Sequence, residues 1–141
     1  MRSSTSPTKH LKNIPLFSTC SAKELSMIAK STDEITVDAG KVIVDQGQMG
    51  REAFVLISGE AVARRNGKKV ASFSRGAVIG ELSLLDHGPR TASVVAQSDC
   101  RLLVISQRNL YSVIEKVPSI SRKLMATLAA RIREMDRAYY G

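Results

Sequence analysis

The sequence predicts a mainly β domain with flanking helices: an eight-stranded, jelly-roll-like β-roll with one helix before it and two after it. Three observations carry that expectation. Between Glu34 and Ile105 eight short runs rich in β-branched residues follow one another, interrupted by turn residues. Gly40, Gly47, Gly50, Gly59, Gly67, Gly76 and Gly80 fall at or beside the ends of those runs, where the chain reverses. On either side, apolar residues recur at three- and four-residue spacing, the period of a helix face. A chain of 141 residues, 43% hydrophobic and 24% charged, suits one domain with a moderate core.

Taken in order, Met1 to Lys9 is rich in Ser, Thr and Pro and reads as a disordered tail over 1–9, leaving 10–141 as the domain. Ser21-Ala22-Lys23-Glu24 has the spacing of a capping box, in which hydroxyl and carboxylate satisfy each other's backbone N–H groups. A helix over about Ala22–Lys30 follows, with Leu25, Ile28 and Ala29 inward. The strands of the roll, about 34–105, are expected at Glu34–Val37, Lys41–Asp45, Ala53–Ser58, Glu60–Arg65, Lys69–Ser74, Ala77–Gly80, Ala92–Ala96 and Cys100–Ile105. Asn66-Gly67 is a type I′ hairpin signal, and the flanking Arg64, Arg65, Lys68 and Lys69 read as a solvated tip. Ser106 is placed to cap a helix over Gln107–Lys116, which Pro118 ends while opening the next. These two helices occupy about 107–138, and along the second Ile120, Leu124, Leu128, Ile132, Met135 and Tyr139 form one apolar stripe.

Several function classes lose support from composition alone. Cys20 and Cys100 are far apart, with no CxxC and no clustered His, so metal, haem and iron–sulfur sites are not expected, and no cofactor is. The net charge of +8 is concentrated at the ends: five basic and one acidic residue in 1–30, nine and nine in 31–105, seven and three in 106–141. With no Trp, three Phe and three Tyr, there is no basic-aromatic surface of the kind that stacks bases, and nucleic acid is not the expected partner. Arg122, Lys123, Arg131, Arg133 and Arg137 read as the solvated face of the last helix. No apolar run is long enough to span a membrane and the N-terminus lacks the apolar core of a signal peptide, so a cytoplasmic location is expected.

The most informative stretch is Gly80-Glu81-Leu82-Ser83-Leu84-Leu85, a short gap, and Pro89-Arg90-Thr91-Ala92-Ser93-Val94. Gly80 permits close backbone approach, and Glu81 to Leu85 reads as one helical turn whose opening N–H groups suit an anion. Arg90 offers a fork to a phosphate, and Glu81 an acceptor for a sugar hydroxyl. No nucleophile–base pair joins them, and His87 and His10 stand apart, so an enzyme is not expected.

This order of residues resembles the phosphate-binding cassette of the cyclic nucleotide-binding domain family, found in regulatory subunits of cyclic-AMP-dependent protein kinase, bacterial catabolite regulators and cyclic-nucleotide-gated channels. The similarity runs from about Leu16 to about Met135; Ile79 departs from it, standing where an aromatic is commoner. The resemblance implies that Arg90 binds the cyclic phosphate and Glu81 the ribose 2′-hydroxyl. Gly80, Leu82, Ser83, Thr91 and Ala92 complete the expected site, and Met135, Tyr139 or Tyr140 is a candidate lid over the base. A regulatory module follows, sensing a 3′,5′-cyclic nucleotide and repositioning its C-terminal helices to signal to an effector domain or protein outside this chain, with a homodimer through the last helix as a further partner. The alternatives are a ligand-independent interaction or dimerisation module, and the sensor of a transcription regulator without its DNA-binding part. In kinase members a threonine after the arginine accompanies cyclic GMP, while bacterial members with a hydroxyl residue there bind cyclic AMP. One hydroxyl hydrogen bond contributes about 0.5–1.5 kcal/mol, so cyclic AMP is expected as the favoured ligand with cyclic GMP also bound.

Overall fold

The structure, a computed structural model, describes residues 2–3, 11–80 and 88–140, without the side chains of residues 2, 3, 135 and 138–140. All eight expected strands are present, joined by a short N-terminal one: β1 (Arg2–Ser3), β2 (Asp33–Val37), β3 (Val42–Val44), β4 (Glu52–Ser58), β5 (Ala61–Arg65), β6 (Lys68–Phe73), β7 (Val78–Ile79), β8 (Ser93–Ala96) and β9 (Cys100–Ser106). The helices are α1 (Ala22–Lys30), α2 (Gln107–Lys116) and α3 (Pro118–Tyr140), with a single 3-10 turn at Pro15–Phe17.

Two antiparallel sheets face each other, one in the order β1-β2-β9-β4-β7 and the other β3-β8-β5-β6. Strands β4 and β9 are buried on both sides, which explains their unbroken apolar runs Ala53–Ile57 and Leu102–Ile105. The two-residue period sends Ala53, Val55, Ile57, Leu103 and Ile105 toward the helices, and Phe54, Leu56, Leu102 and Val104 toward the second sheet. Across the β2–β9 pair, both carboxylate oxygens of buried Glu34 accept from Arg101 Nη2 at 2.8 Å, the pairing that a charge removed from water requires.

The predicted punctuation is realised in atoms. Ser21 Oγ accepts from Glu24 N at 3.1 Å while Glu24 Oε1 accepts from Ser21 N at 2.8 Å, closing the capping box of α1. Ser106 Oγ likewise caps α2 by accepting from Asn109 N. At the β5–β6 turn both Asn66 and Gly67 have positive φ, 53° and 81°, as the type I′ geometry needs.

The structure adds to three readings. Arg2 and Ser3, read as part of a disordered tail, pair with Ile35 and Glu34, because an edge strand such as β2 offers unpaired backbone groups to any extended segment nearby. The apolar stripe of α3 does not pack on the roll along its whole length: Ile120 and Leu124 enter the helix-side core, whereas Ile132 is 65% exposed. Nor is the basic face of α3 wholly solvated, since Lys123 Nζ donates to Pro15 O at 2.7 Å and Ser18 Oγ at 2.9 Å, and Arg131 reaches the roll.

Candidate ligand-binding site

The site is built around the contact of Gly80 with Arg90. Gly80 ends the β7 segment at φ +81°, a conformation that disfavours any side chain. A Cβ there would also collide with Arg90 Nη1, so glycine is required twice over. Arg90 is only 8% exposed, and its guanidinium donates to two carbonyls, from Nη1 to Gly80 O at 2.9 Å and from Nη2 to Glu52 O at 2.6 Å. Its orientation is therefore fixed by β4 and β7 rather than by its own loop.

The backbone of Arg90 is fixed by a partner remote in sequence. Arg90 N donates to Gln48 O and Gly47 N donates to Arg90 O, both at 2.8 Å, and Met49 pairs with Pro89. Pairing with the 46–49 loop thus positions the Arg90 backbone. The same loop ties down the β5–β6 hairpin: Gln46 Nε2 donates to Asn66 Oδ1 and Asn66 N donates to Gln46 Oε1, each at 3.0 Å. Arg65 Nε adds a bond to Thr91 O at 2.9 Å.

These elements enclose a cavity of about 630 Å³, within the range of small-ligand sites. Val44, Ala63, Ala71, Ile79 and Val94 give it apolar walls, and Arg65, Arg90, Arg131 and Glu134 give it charge. Gly80, Arg90, Thr91 and Ala92, four of the residues expected from sequence, meet at this cavity. Glu81, Leu82 and Ser83 lie outside the described residues, as does His87. Met135, Tyr139 and Tyr140 are on α3, but their side chains are outside the description as well.

Sequence reasoning missed Arg131 and Glu134, which project from one face of α3 into the cavity, with Arg131 Nη2 donating to Val78 O at 3.3 Å. Their three-residue spacing was the available signal, hidden because charged residues also stud the outer face. Phe73 and Arg65 were missed for a similar reason, since only the sheet pairing shows that the inner side of β5 and β6 faces the same space.

Cys20 and Cys100 are buried away from this cavity, and desolvation pushes both thiols up from their ordinary value; Ser119 beside Cys20 and the backbone of Glu60 beside Cys100 oppose this weakly. Among the described residues no three His, Cys, Asp or Glu side chains gather to hold a metal, and no helix is long and apolar enough to cross a membrane.

Residues 34–117 match the family model described as cyclic nucleotide-binding domain. A cAMP-dependent protein kinase regulatory subunit from Aspergillus niger is 36% identical over 115 residues, covering 80% of this chain and 28% of the relative. The cyclic AMP receptor protein of Thermus thermophilus is 31% identical over 131 residues, 89% of this chain and 61% of that protein. A crystal structure of Thermus thermophilus catabolite activator protein superposes with a TM-score of 0.81 at 32% identity, covering 89% of this chain and 61% of that one. The chain thus spans from about a quarter to about three-fifths of the length of these relatives.

Proposed function

The chain belongs to the cyclic nucleotide-binding domain family, and from that premise we propose that its cavity binds a 3′,5′-cyclic nucleotide, cyclic AMP in preference to cyclic GMP, and that α3 passes the event on. One observation carries the proposal: a nearly buried arginine, its guanidinium oriented by two carbonyls, stands in a cavity whose volume suits a nucleotide. A guanidinium held in one orientation presents a planar fork of N–H donors, and a cyclic phosphate is an anion whose oxygens match that fork. In this reading Arg90 holds the phosphate, Glu81 the ribose hydroxyl, and Gly80, Leu82, Ser83, Thr91 and Ala92 border the same group. Arg131 and Glu134 face the base from α3, beside or in place of Met135, Tyr139 and Tyr140.

The chain acts by binding and not by catalysis. Its kinase relative is by name a regulatory subunit and its bacterial relative a receptor protein, which supports that assignment. Ligand contact with Arg131 and Glu134 shifts α3 toward the roll by no more than the ligand's differential affinity for the two positions, and an effector outside this chain reads the shift. Competition of cyclic AMP and cyclic GMP against a fluorescent analogue, in the wild type and in Thr91→Ala, tests the ligand. Cyclic AMP binds more tightly in both; a cyclic GMP preference that vanishes in Thr91→Ala reverses the assignment, and no binding of either removes it.

A second reading, a homodimer through α3, is favoured by the apolar side chains this helix leaves in solvent, Met125 at 59% and Ile132 at 65% exposure. Sedimentation of wild type and Ile132→Glu decides it, a dimer in the first and a monomer in the second being the expected pair.

A further inference from the structure

We infer that the basic tip of the β5–β6 hairpin is an anion-capture site, which raises the rate at which a negatively charged ligand enters the cavity. The register of the hairpin places Arg64 opposite Lys69 and Arg65 opposite Lys68. Like charges directly across a strand pair destabilise it, so a tip built only for folding gains nothing from two such pairs in succession. Among the described residues, no carboxylate pairs with Arg64, Arg65, Lys68 or Lys69. Lysines on the edge strand β6 discourage strand addition, but that leaves the arginines on the inner strand β5 unexplained.

Position supplies the explanation. Arg65 lines the cavity, and the backbone carbonyl it holds belongs to Thr91, the residue after Arg90. The two Gln46–Asn66 hydrogen bonds fasten the turn, and Gln46 N is itself held by Ser93 Oγ at 2.9 Å, so the tip is clamped to the strand that follows Arg90. Inside, Arg65, Arg90 and Arg131 outnumber the carboxylates assigned to the site, Glu134 among the described residues and Glu81 of the reading above. A basic rim leading to a basic cavity with low-dielectric walls focuses its field on the opening and raises the local concentration of an anion. The central region as a whole holds nine basic and nine acidic residues, so this concentration is a matter of placement and not of net charge.

The inference rests on the ligand proposed above, and stopped-flow kinetics with a fluorescent cyclic AMP analogue separates the two. Association and dissociation rates are measured for the wild type and for R64Q/K68Q/K69Q, with Arg65 retained, from about 10 mM to about 1 M salt, across which the screening length falls from about 30 to about 3 Å. In the wild type association slows as salt rises. In the variant it is slower by about fivefold at the lowest salt, its salt slope is flatter, the two proteins converge at high salt, and dissociation differs by less than about twofold. Circular dichroism confirms the fold, and R64E/K68E lowers association further. Wild-type binding whose association rate and salt slope survive the triple substitution overturns the capture site and leaves the proposed ligand standing. A wild type that binds no cyclic nucleotide overturns both.

Discussion

At the scale of single residues, Gly80 and Arg90 form one unit, and the consequences of changing either differ in kind. If Arg90 holds the phosphate as proposed, Arg90→Ala is expected to weaken cyclic nucleotide binding by about 2–5 kcal/mol with the fold retained, which calorimetry checks. Arg90→Lys recovers only part of this, because an ammonium lacks the planar fork that two carbonyls orient here. Equal affinity of Arg90→Ala and wild type would dismiss the phosphate role. Gly80→Ala puts a side chain at φ +81° and against the guanidinium, so it costs stability by about 1–3 kcal/mol as well as affinity. A wild-type melting temperature and affinity in that variant contradicts the described contact. The cysteines give a control far from the ligand. Burial raises both thiol pKa values, so the neutral form is the one the fold accommodates; stability from this source is whole below the ordinary thiol pKa and is lost as pH climbs through the raised one. Alkylation of the native protein near neutral pH is correspondingly slow and becomes fast on unfolding, and rapid native labelling would show that the thiols are not shielded.

Among the elements, α3 is held unevenly, and the proposed relay depends on this. Its first half is fixed by Ile120 and Leu124 in the core and by the Lys123 bonds to Pro15 and Ser18. Beyond Leu124 the described side chains are mostly exposed, and a 3.3 Å bond from Arg131 to Val78 O joins the helix to the roll. Elements with few buried contacts open at the least free energy, so the proposed response to ligand is expected in that second half. Hydrogen exchange with and without cyclic AMP should show protection rising over residues 126–134 and little change over 118–124. Arg131→Ala should speed exchange in the same segment of the free protein. A response confined to the roll in both experiments would remove α3 from the relay. The β5–β6 hairpin is the opposite case, clamped at its tip by Gln46, and is expected to stay protected throughout.

For the whole molecule, the cavity is lined by parts that are far apart in sequence: β3, the β5–β6 hairpin, β7, the segment from Arg90 to Val94, and α3. A ligand seated there binds the folded chain and not the unfolded one. At a hundredfold excess over its Kd it adds about 2.7 kcal/mol of stability and raises Tm by roughly 5–10 °C for a domain of this size. Thermal denaturation at several ligand concentrations checks both the increment and its logarithmic growth. A Tm indifferent to saturating cyclic AMP and cyclic GMP contradicts the proposed function.

Local chemistry was enough to make the strands legible, because strand ends, the Asn66-Gly67 turn and the Ser21 and Ser106 caps depend on residues within a few positions of one another. The cassette was legible for the same reason: Gly80 and Arg90 are ten residues apart, and their order alone pointed to an anion site. What holds Arg90 was not legible. Its carbonyl partner Glu52 lies 38 positions away, its backbone partner Gln48 lies 42 away, and the charges completing the cavity come from β5 and α3. A local sequence pattern fixes which residue types adjoin a turn, but hydrogen-bond partners across sheets depend on register, which is set by burial of the whole core. Residues close in sequence thus made the eight strands of the roll, the three helices and their caps legible, and marked Gly80 and Arg90 as candidates. Tertiary structure alone decided that Arg131 and Glu134 face the cavity while Ile132 faces solvent, because a helix with polar and apolar residues on several sides takes its orientation from what it packs against.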